Sequence, residues 1–225
     1  MKPQTTFISG RECQLFCRAG SKHLLIQPVD DHDTGLSAEE TDIISQLSET
    51  PYNLVTFRIN DWNRELTPWP APPVFGKQAF GDAANDTLAF IIEQLLPEMG
   101  NKGIDTSHCQ LGGYSLAGLF ALWSAYQTDI FEGIAAVSPS VWYPGWISYV
   151  SERKANAHSI YLSLGDKEEK TKNGIMSQVG LSIRAQHKLL LTQGTTTILE
   201  WNAGNHFVDS ARRMAKGFAW LLMQS

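Results

Sequence analysis

The sequence predicts an α/β fold, with a mostly parallel central sheet and helices on both of its faces. Short apolar runs alternate with longer segments whose apolar residues recur at helical spacing, as in chains that build such sheets. The chain has 225 residues and is 43% apolar, which is enough to bury one substantial core and short for two full domains. We therefore expect a single domain over residues 1–225, without a large lid domain.

The first half of the chain predicts two strands and two helices. Residues 23–29 read as a strand, and the acidic residues 30–33 are expected to form a loop after it. A helix is predicted from Ser37 to about Leu47, because Ser37 and Glu40 match a capping box. A strand follows at 53–59, then a loop rich in proline and tryptophan at 60–73. The next helix is predicted over 81–99, where apolar residues stand at helical spacing: Leu88, Ile91, Ile92, Leu95 and Leu96.

The second half repeats this alternation from a strand at 109–113 onward. The helix after that strand is expected over 116–127. Further strands are predicted at 133–138, 159–165 and 195–201, and further helices at 176–191 and 209–223.

Charge and composition exclude several classes of partner. The formal net charge is −5, and the longest basic run is the pair Arg212–Arg213, so we expect no nucleic-acid partner. No apolar stretch approaches the length of a membrane span, and residues 1–10 lack the apolar region of a signal peptide. Three cysteines without paired spacing argue against a disulfide framework or a metal site. We expect a cytoplasmic protein without metal or organic cofactor, and composition leaves a homodimer open.

Ser115 is the candidate nucleophile, because it stands where a strand is predicted to turn sharply into a helix. A serine on such a turn has a strained backbone, so the residues two before and two after it must be small, as Gly113 and Ala117 are. The usual pattern is G-x-S-x-G, and here alanine takes the fifth place. The same glycines fit neither phosphate-binding motif: Leu119 stands where a P-loop needs lysine, and Tyr114 where a dinucleotide fingerprint needs glycine.

A serine nucleophile needs an imidazole base and a carboxylate that orients the base, in the chain order serine, acid, histidine. Active sites of open α/β sheets lie at the carboxyl ends of the strands, which selects His206 among six histidines, because it follows the last predicted strand. The acid should follow the strand at 159–165. Asp166 and Glu168 are the main candidates there, with Glu169 third.

Two backbone N–H groups should form an oxyanion hole. The N–H of Leu116, next after the nucleophile, is the first, and the second is expected from Asp61 or Trp62. Tryptophans follow two strand ends, which predicts an aromatic cleft for a small or aromatic ester. The residues expected to contact substrate or shape this cleft are Trp62, Trp69, Tyr114, Trp142 and Trp146.

Five segments together resemble the esterase branch of the α/β-hydrolase superfamily that includes siderophore (enterobactin-type) esterases and is related to esterase D and feruloyl esterases. They are residues 61–69, 113–121, 138–143, 164–168 and 204–207. The resemblance covers most of the chain and implies hydrolysis of carboxylic esters without a cofactor. It also places the acid three residues after the strand-ending glycine, which favours Glu168 over Asp166.

The sequence indicates the substrate less directly than it indicates the reaction. Larger siderophore esterases carry an additional N-terminal domain for which 225 residues leave no room, and an acidic chain is a poor match for a ferric tris-catecholate anion. The alternatives on the same fold are an acyltransferase or thioesterase, a siderophore esterase and, least favoured, a non-catalytic binding protein. A metal site at Asp30, Asp31, His32 and Asp33 is disfavoured, since consecutive acidic residues point in different directions.

Overall fold

The computed structural model describes residues 2–74 and 76–224, apart from the side chain of His32. Within them a single eight-stranded sheet forms the centre of the molecule. Its strands are β1 (Gln4–Ile8), β2 (Arg11–Phe16), β3 (His23–Val29), β4 (Tyr52–Arg58), β5 (His108–Tyr114), β6 (Phe131–Val137), β7 (Ser159–Gly165) and β8 (Thr196–Asn202).

The strand order is β1-β2-β4-β3-β5-β6-β7-β8. The strands from β4 to β8 in this order run parallel, and the β1–β2 hairpin joins the β4 edge antiparallel. The chain proceeds from β3 outward to β4 and then returns to place β5 on the other side of β3. This reversal opens a crevice at the carboxyl ends of the strands, which is where ligands bind in such sheets.

Helices connect the parallel strands, as the sequence predicts. They are α1 (Asp31–Leu47), α2 (Trp62–Glu65), α3 (Ala84–Phe90), α4 (Leu96–Asn101), α5 (Leu116–Ser124), α6 (Trp146–Ser151), α7 (Val179–Thr192) and α8 (Ser210–Leu222). A π-helical turn, Ile91–Leu95, joins α3 to α4, so the helix predicted over 81–99 is one segment with a bulged turn. None of the helices in the described residues has both the length and the apolar content that a membrane crossing requires.

The predicted start of the first helix is wrong. Helix α1 begins at Asp31 because the side chain of Asp30 accepts a hydrogen bond from the N–H of Asp33 at 2.8 Å and caps the helix. Ser37 lies inside the helix, where its hydroxyl donates to the carbonyl of Asp33. The acidic residues expected as a loop therefore form the cap and first turn, where carboxylates stabilise the helix dipole.

Alternate residues of the buried strands feed two separate cores. On β3, Leu24 and Ile26 pack into the larger core, which α3 to α7 cover, whereas Leu25 points to the opposite face. That second core is closed by α1 and α8 through residues such as Ile44 and Phe218. The sheet is therefore covered on both faces, and its loops at the carboxyl edge are left to form a site.

Candidate active site

Ser115 lies on a sharp turn between β5 and α5, with φ of 59° and ψ of −120°. This is a positive φ for a residue with a side chain, which costs free energy and is found where function requires it. A Cβ on Gly113 would lie 2.4 Å from the backbone of Ala117, so glycine is required there. Ala117 itself fits, which explains why the turn tolerates alanine in the fifth place of the motif.

Glu168 and His206 form a hydrogen-bonded pair at the ends of β7 and β8. Glu168 Oε2 lies 2.7 Å from His206 Nδ1, and the two side chains are 5% and 27% exposed. A carboxylate can only accept at this contact, so Nδ1 carries the proton and Nε2 is left as the acceptor. Burial raises the pKa of Glu168, but hydrogen bonding and charge from His206, with hydrogen bonds from Ser138 and Gly165, hold it below its usual value.

The other two candidate acids have different partners. Asp166 Oδ1 accepts the backbone N–H of Gly204 at 2.8 Å, which ties the loop after β7 to the loop after β8. Glu169 forms an exposed ion pair with Arg184 at 2.8 Å. Of the three carboxylates, Glu168 is the one that contacts His206.

Ser115 and His206 line two adjoining cavities. The first, which we name the large lobe, has a volume of about 550 Å³. The second, the small lobe, has a volume of about 360 Å³. Four residues line both lobes and form the boundary between them: Trp62, Ser115, His206 and Phe207. An ester carbonyl held at Ser115 would therefore direct its two halves into different lobes.

The large lobe is mainly apolar, with two basic side chains. Trp142, Met176 and Val179 form its apolar walls, and Lys167 and Lys170 also line it. The remaining lining residues are Ser138, Ser140, Glu168, Thr171 and Asn205. The small lobe is less apolar, and its further lining residues are Asp30, Asp33, Tyr114 and Ser210.

In the resting structure the Ser115 hydroxyl lies 3.4 Å from Ser140 Oγ. No hydrogen bond between Ser115 and His206 is formed in the described part of the chain. Ser140 follows β6 and is also tied to the turn by its backbone, since its N–H donates to the carbonyl of Ser115 at 3.0 Å. The wall after β6 therefore holds both the backbone and the hydroxyl of the candidate nucleophile.

Two backbone N–H groups remain available in residues that follow Ser115 in the chain or line the cavity with it. The N–H groups of Leu116 and Trp62 are the first of α5 and α2, and neither has an acceptor among the described residues. The N–H of Asp61, the alternative considered from sequence, donates to Glu65 Oε1 at 2.9 Å. Of the two sequence candidates for a second donor, Trp62 is therefore the one left free.

The aromatic residues expected in the cleft divide into two groups. Trp62 and Trp142 line the large lobe, and Tyr114 lines the small one. Trp69 lines neither lobe: its indole N–H donates to the carbonyl of Pro144 at 2.8 Å, and its ring packs on Trp146 and other aromatics. Trp146 is fully buried. Both tryptophans pack loops against the sheet, because this packing buries their large apolar rings.

Three residues that sequence reasoning did not single out also belong to the site. Phe207 lines both lobes and is 88% exposed, with its ring edge-on to His206. Ser138 donates to Glu168 Oε1 at 2.7 Å, and the buried Arg213 contacts the same oxygen at 3.2 Å. Ser138 and Phe207 lie at or after the ends of predicted strands, so their position in the sequence could have identified them. Arg213 lies within a helix, and the sequence gives no sign of its contact.

Sequence similarity to known proteins is weak. No family model matches the chain. The uncharacterized protein YbbA of Bacillus subtilis (strain 168) is 25% identical over 182 residues, which cover 75% of this chain and 73% of that protein.

Two solved structures illustrate the structural likeness. An IroE-like serine hydrolase from Shewanella oneidensis superposes with a TM-score of 0.79 at 17% identity, over 99% of this chain and 80% of that one. The siderophore hydrolase EstA from Aspergillus nidulans gives a TM-score of 0.76 at 18% identity, over 96% and 90% of the two chains. The chain has the α/β-hydrolase fold that its sequence predicts.

Proposed function

We propose that this protein is a serine hydrolase that cleaves carboxylic esters, with Ser115 as nucleophile, His206 as base and Glu168 as orienting acid. One observation carries the proposal. The Glu168–His206 pair, 2.7 Å apart, lines the same cavity as a serine held at a strained strand-to-helix turn. The structural likeness to proteins described as a serine hydrolase and a siderophore hydrolase supports the same chemistry.

The reaction begins when the Ser115 hydroxyl turns from Ser140 toward Nε2 of His206, which takes its proton as Oγ attacks the ester carbonyl. Glu168 holds the imidazole by Nδ1 and stabilises it once it becomes cationic. The imidazolium then gives its proton to the leaving alcohol, and an acyl-enzyme remains. Water gives a proton to His206 as it attacks the acyl group, and the imidazolium returns that proton to Ser115 Oγ as the carboxylic acid leaves.

The oxyanion formed in each step is held by the N–H groups of Leu116 and Trp62. Both are free of other acceptors in the described residues and stand at helix starts, where N–H groups are unpaired. Such donors are fixed before the charge develops, so they stabilise the transition state without reorganisation. The chemistry requires no metal or organic cofactor.

The substrate that we propose is a small-molecule ester with an apolar or aromatic half. The large lobe has the walls for this half, since Trp62, Trp142 and Phe207 surround it. The small lobe, which has a larger share of polar lining, would take the other half of the ester.

A siderophore ester is the second candidate, favoured by one specific observation. Lys167 and Lys170 line the large lobe, so this lobe carries two cations although the chain is acidic overall. Basic side chains beside aromatic walls suit an anionic aromatic group such as a catecholate. Comparing hydrolysis of a catechol-bearing ester with that of its uncharged phenyl analogue separates the two candidates: a higher kcat/KM for the catechol ester favours the siderophore class.

The three cysteines, Cys13, Cys17 and Cys109, are unpaired. Free thiols suit a reducing compartment, so a cytoplasmic location is part of the proposal.

The nucleophile is tested with Ser115→Ala. The variant should keep the fold but lose hydrolysis of p-nitrophenyl esters by a factor of about 10⁴ or more, because no acyl-enzyme can form. A fluorophosphonate probe should label the parent, with the adduct mapped to Ser115 by mass spectrometry. Ser151→Ala, on an exposed face of α6, is the matched control and should keep parental activity. An unlabelled parent, or an alanine variant as active as the parent, would show that the assignment is wrong.

A further inference from the structure

Arg213 is a buried cation directly behind the proposed catalytic acid. It lies on α8, is 2% exposed, and places Nη1 3.2 Å from Glu168 Oε1. Its Nη2 donates to the carbonyl of Ala203 at 2.9 Å, in the loop that carries His206. Burying a guanidinium costs free energy unless its hydrogen-bond partners are well placed, so we expect a buried arginine at this position to have a role.

We propose that Arg213 is a positioning residue that acts through Glu168: it fixes the carboxylate and, by sharing its negative charge, weakens the attraction of that carboxylate for a cationic imidazole. The inference rests on the proposed function, since it concerns the same three catalytic side chains. It assigns a role to a helix residue that does not contact the substrate cavity.

The contacts of one guanidinium join the ends of four strands. Nη1 lies 3.1 Å from the Tyr114 hydroxyl at the end of β5 and 3.4 Å from Ser138 Oγ after β6. The Tyr114 hydroxyl in turn donates to the carbonyl of His206 at 2.7 Å. Arg213 therefore holds the side chain of Glu168 directly and the backbone of His206 through Tyr114. Side-chain packing alone would leave both positions adjustable.

The two carboxylate oxygens of Glu168 have different partners. Oε2 faces His206, and Oε1 receives Arg213, Ser138 and the N–H of Gly165. Glu168 is the one carboxylate among the hydrogen-bond partners of Arg213 in the described residues. Because the cation neutralises part of this charge, the carboxylate attracts an imidazolium less strongly than an unpaired one would.

The other ionisable groups around His206 are less enclosed. Lys167 and Lys170 line the large lobe, and Asp30 and Asp33 line the small lobe; none of the four is buried. Tyr114 is buried, and desolvation raises its pKa, so it is neutral at working pH. Solvent screens the exposed charges, whereas the field of Arg213 acts through the protein interior. Arg213, which is nearly fully buried, should therefore affect the protonation of His206 more than any of these four groups.

The test compares the pH profile of kcat/KM for Arg213→Met and the parent. Loss of the buried cation favours the protonated imidazole, so the acid limb should move to higher pH by about half a unit or more. At a pH on that limb, kcat/KM should therefore fall about threefold more than it falls at pH 8. Arg212→Met removes a neighbouring exposed cation from the same helix and should leave the limb in place. A folded Arg213→Met variant with the parental limb would overturn the proposal.

A double-mutant cycle tests whether Arg213 acts through Glu168. On a Glu168→Gln background, Arg213→Met should lower kcat by a clearly smaller factor than in the parent, because the charge it pairs with is gone and only its contacts with Ala203 and Tyr114 remain to be lost. An equal loss on both backgrounds would overturn the proposed route.

Arg213→Lys covers the case in which the methionine variant does not fold. The lysine keeps the charge without the planar fork, so kcat should fall while the acid limb stays at the parental pH. A shifted limb in a folded lysine variant would count against the charge argument. Fluorophosphonate labelling of the parent is measured first: if the parent is not labelled at Ser115, the proposed function fails, whereas labelling with unchanged Arg213 profiles rejects the role of Arg213 alone.

Discussion

At the scale of single residues, the acid of the site is distinguished by its surroundings. Glu168 and Asp166 are both acidic, two residues apart and close to the end of β7, so spacing alone leaves either open. The chain directs Glu168 inward, where it meets His206 and Ser138, and leaves Asp166 exposed to hold the N–H of Gly204. The two carboxylates therefore have separable roles.

Glu168→Gln should lower kcat/KM by about 10³- to 10⁴-fold, because an amide at Oε2 neither fixes the reactive tautomer of His206 nor stabilises its cation. Steady-state kinetics on a p-nitrophenyl ester measures the loss. Asp166→Asn is the matched control, since its amide oxygen can still accept the N–H of Gly204, and its kcat/KM should stay within about threefold of the parent. Equal losses in the two variants would remove Glu168 from the proposed triad.

At the scale of elements, the start of α1 is set by Asp30 and not by Ser37. Ser37 and Glu40 have the spacing of a capping box, yet Asp30 stands directly after β3 and its carboxylate reaches the N–H of Asp33. An earlier cap adds nearly two turns of helix and places Asp31 and Asp33 in the first turn, where carboxylates interact favourably with the helix dipole. The helix therefore begins where a side-chain cap and first-turn carboxylates coincide, rather than at the Ser37 signal.

Asp30→Ala should destabilise the protein by about 1 kcal/mol, since it leaves the first N–H groups of α1 unpaired. Urea unfolding followed by circular dichroism measures the change. Glu39→Ala, exposed on the same helix, should alter the free energy of unfolding by less than about 0.5 kcal/mol. A capping role for Ser37 would instead be indicated if Asp30→Ala had no effect.

At the scale of the whole molecule, one buried carboxyl group couples folding to pH. Glu40 on α1 is 2% exposed and faces the buried Gln27 of β3, whose Nε2 lies 3.4 Å from Glu40 Oε1. Burial, with a smaller contribution from Asp33, raises the pKa of Glu40 from 4.5 to about 8. The folded protein therefore holds this proton where the unfolded chain releases it, and stability falls as pH rises from about 4.5 to about 8.

Glu40→Gln should remove this part of the pH dependence. Between pH 5 and pH 8 the parent should lose about 3 kcal/mol more unfolding free energy than the glutamine variant, because the amide stays neutral throughout. Urea denaturation at the two pH values gives both differences, with Glu39→Gln as the exposed control. Parallel pH dependences in the parent and Glu40→Gln would show that Glu40 does not ionise over this range.

Much of the fold could be predicted because it depends on local pattern. All six predicted strands and all five predicted helical segments are present, with boundaries that differ mainly at the first helix. The β1–β2 hairpin, α2 and α6 were not predicted: the hairpin strands are largely polar on their exposed face, and α2, in the loop predicted over 60–73, and α6 are short helices in aromatic segments. Short or half-polar segments carry too few apolar residues to show a period.

By itself, the sequence determined the alternation of strands and helices, the small residues around Ser115, and the strand-end positions of Glu168 and His206, because each depends on residues close together in the chain. Only the tertiary structure decided which carboxylate meets His206, that Trp69 and Trp146 pack away from the cavity, and that Arg213 lies behind Glu168. These contacts join residues 38 to 77 positions apart, and their geometry is set by how β7, β8 and α8 pack, which no local pattern of residues encodes.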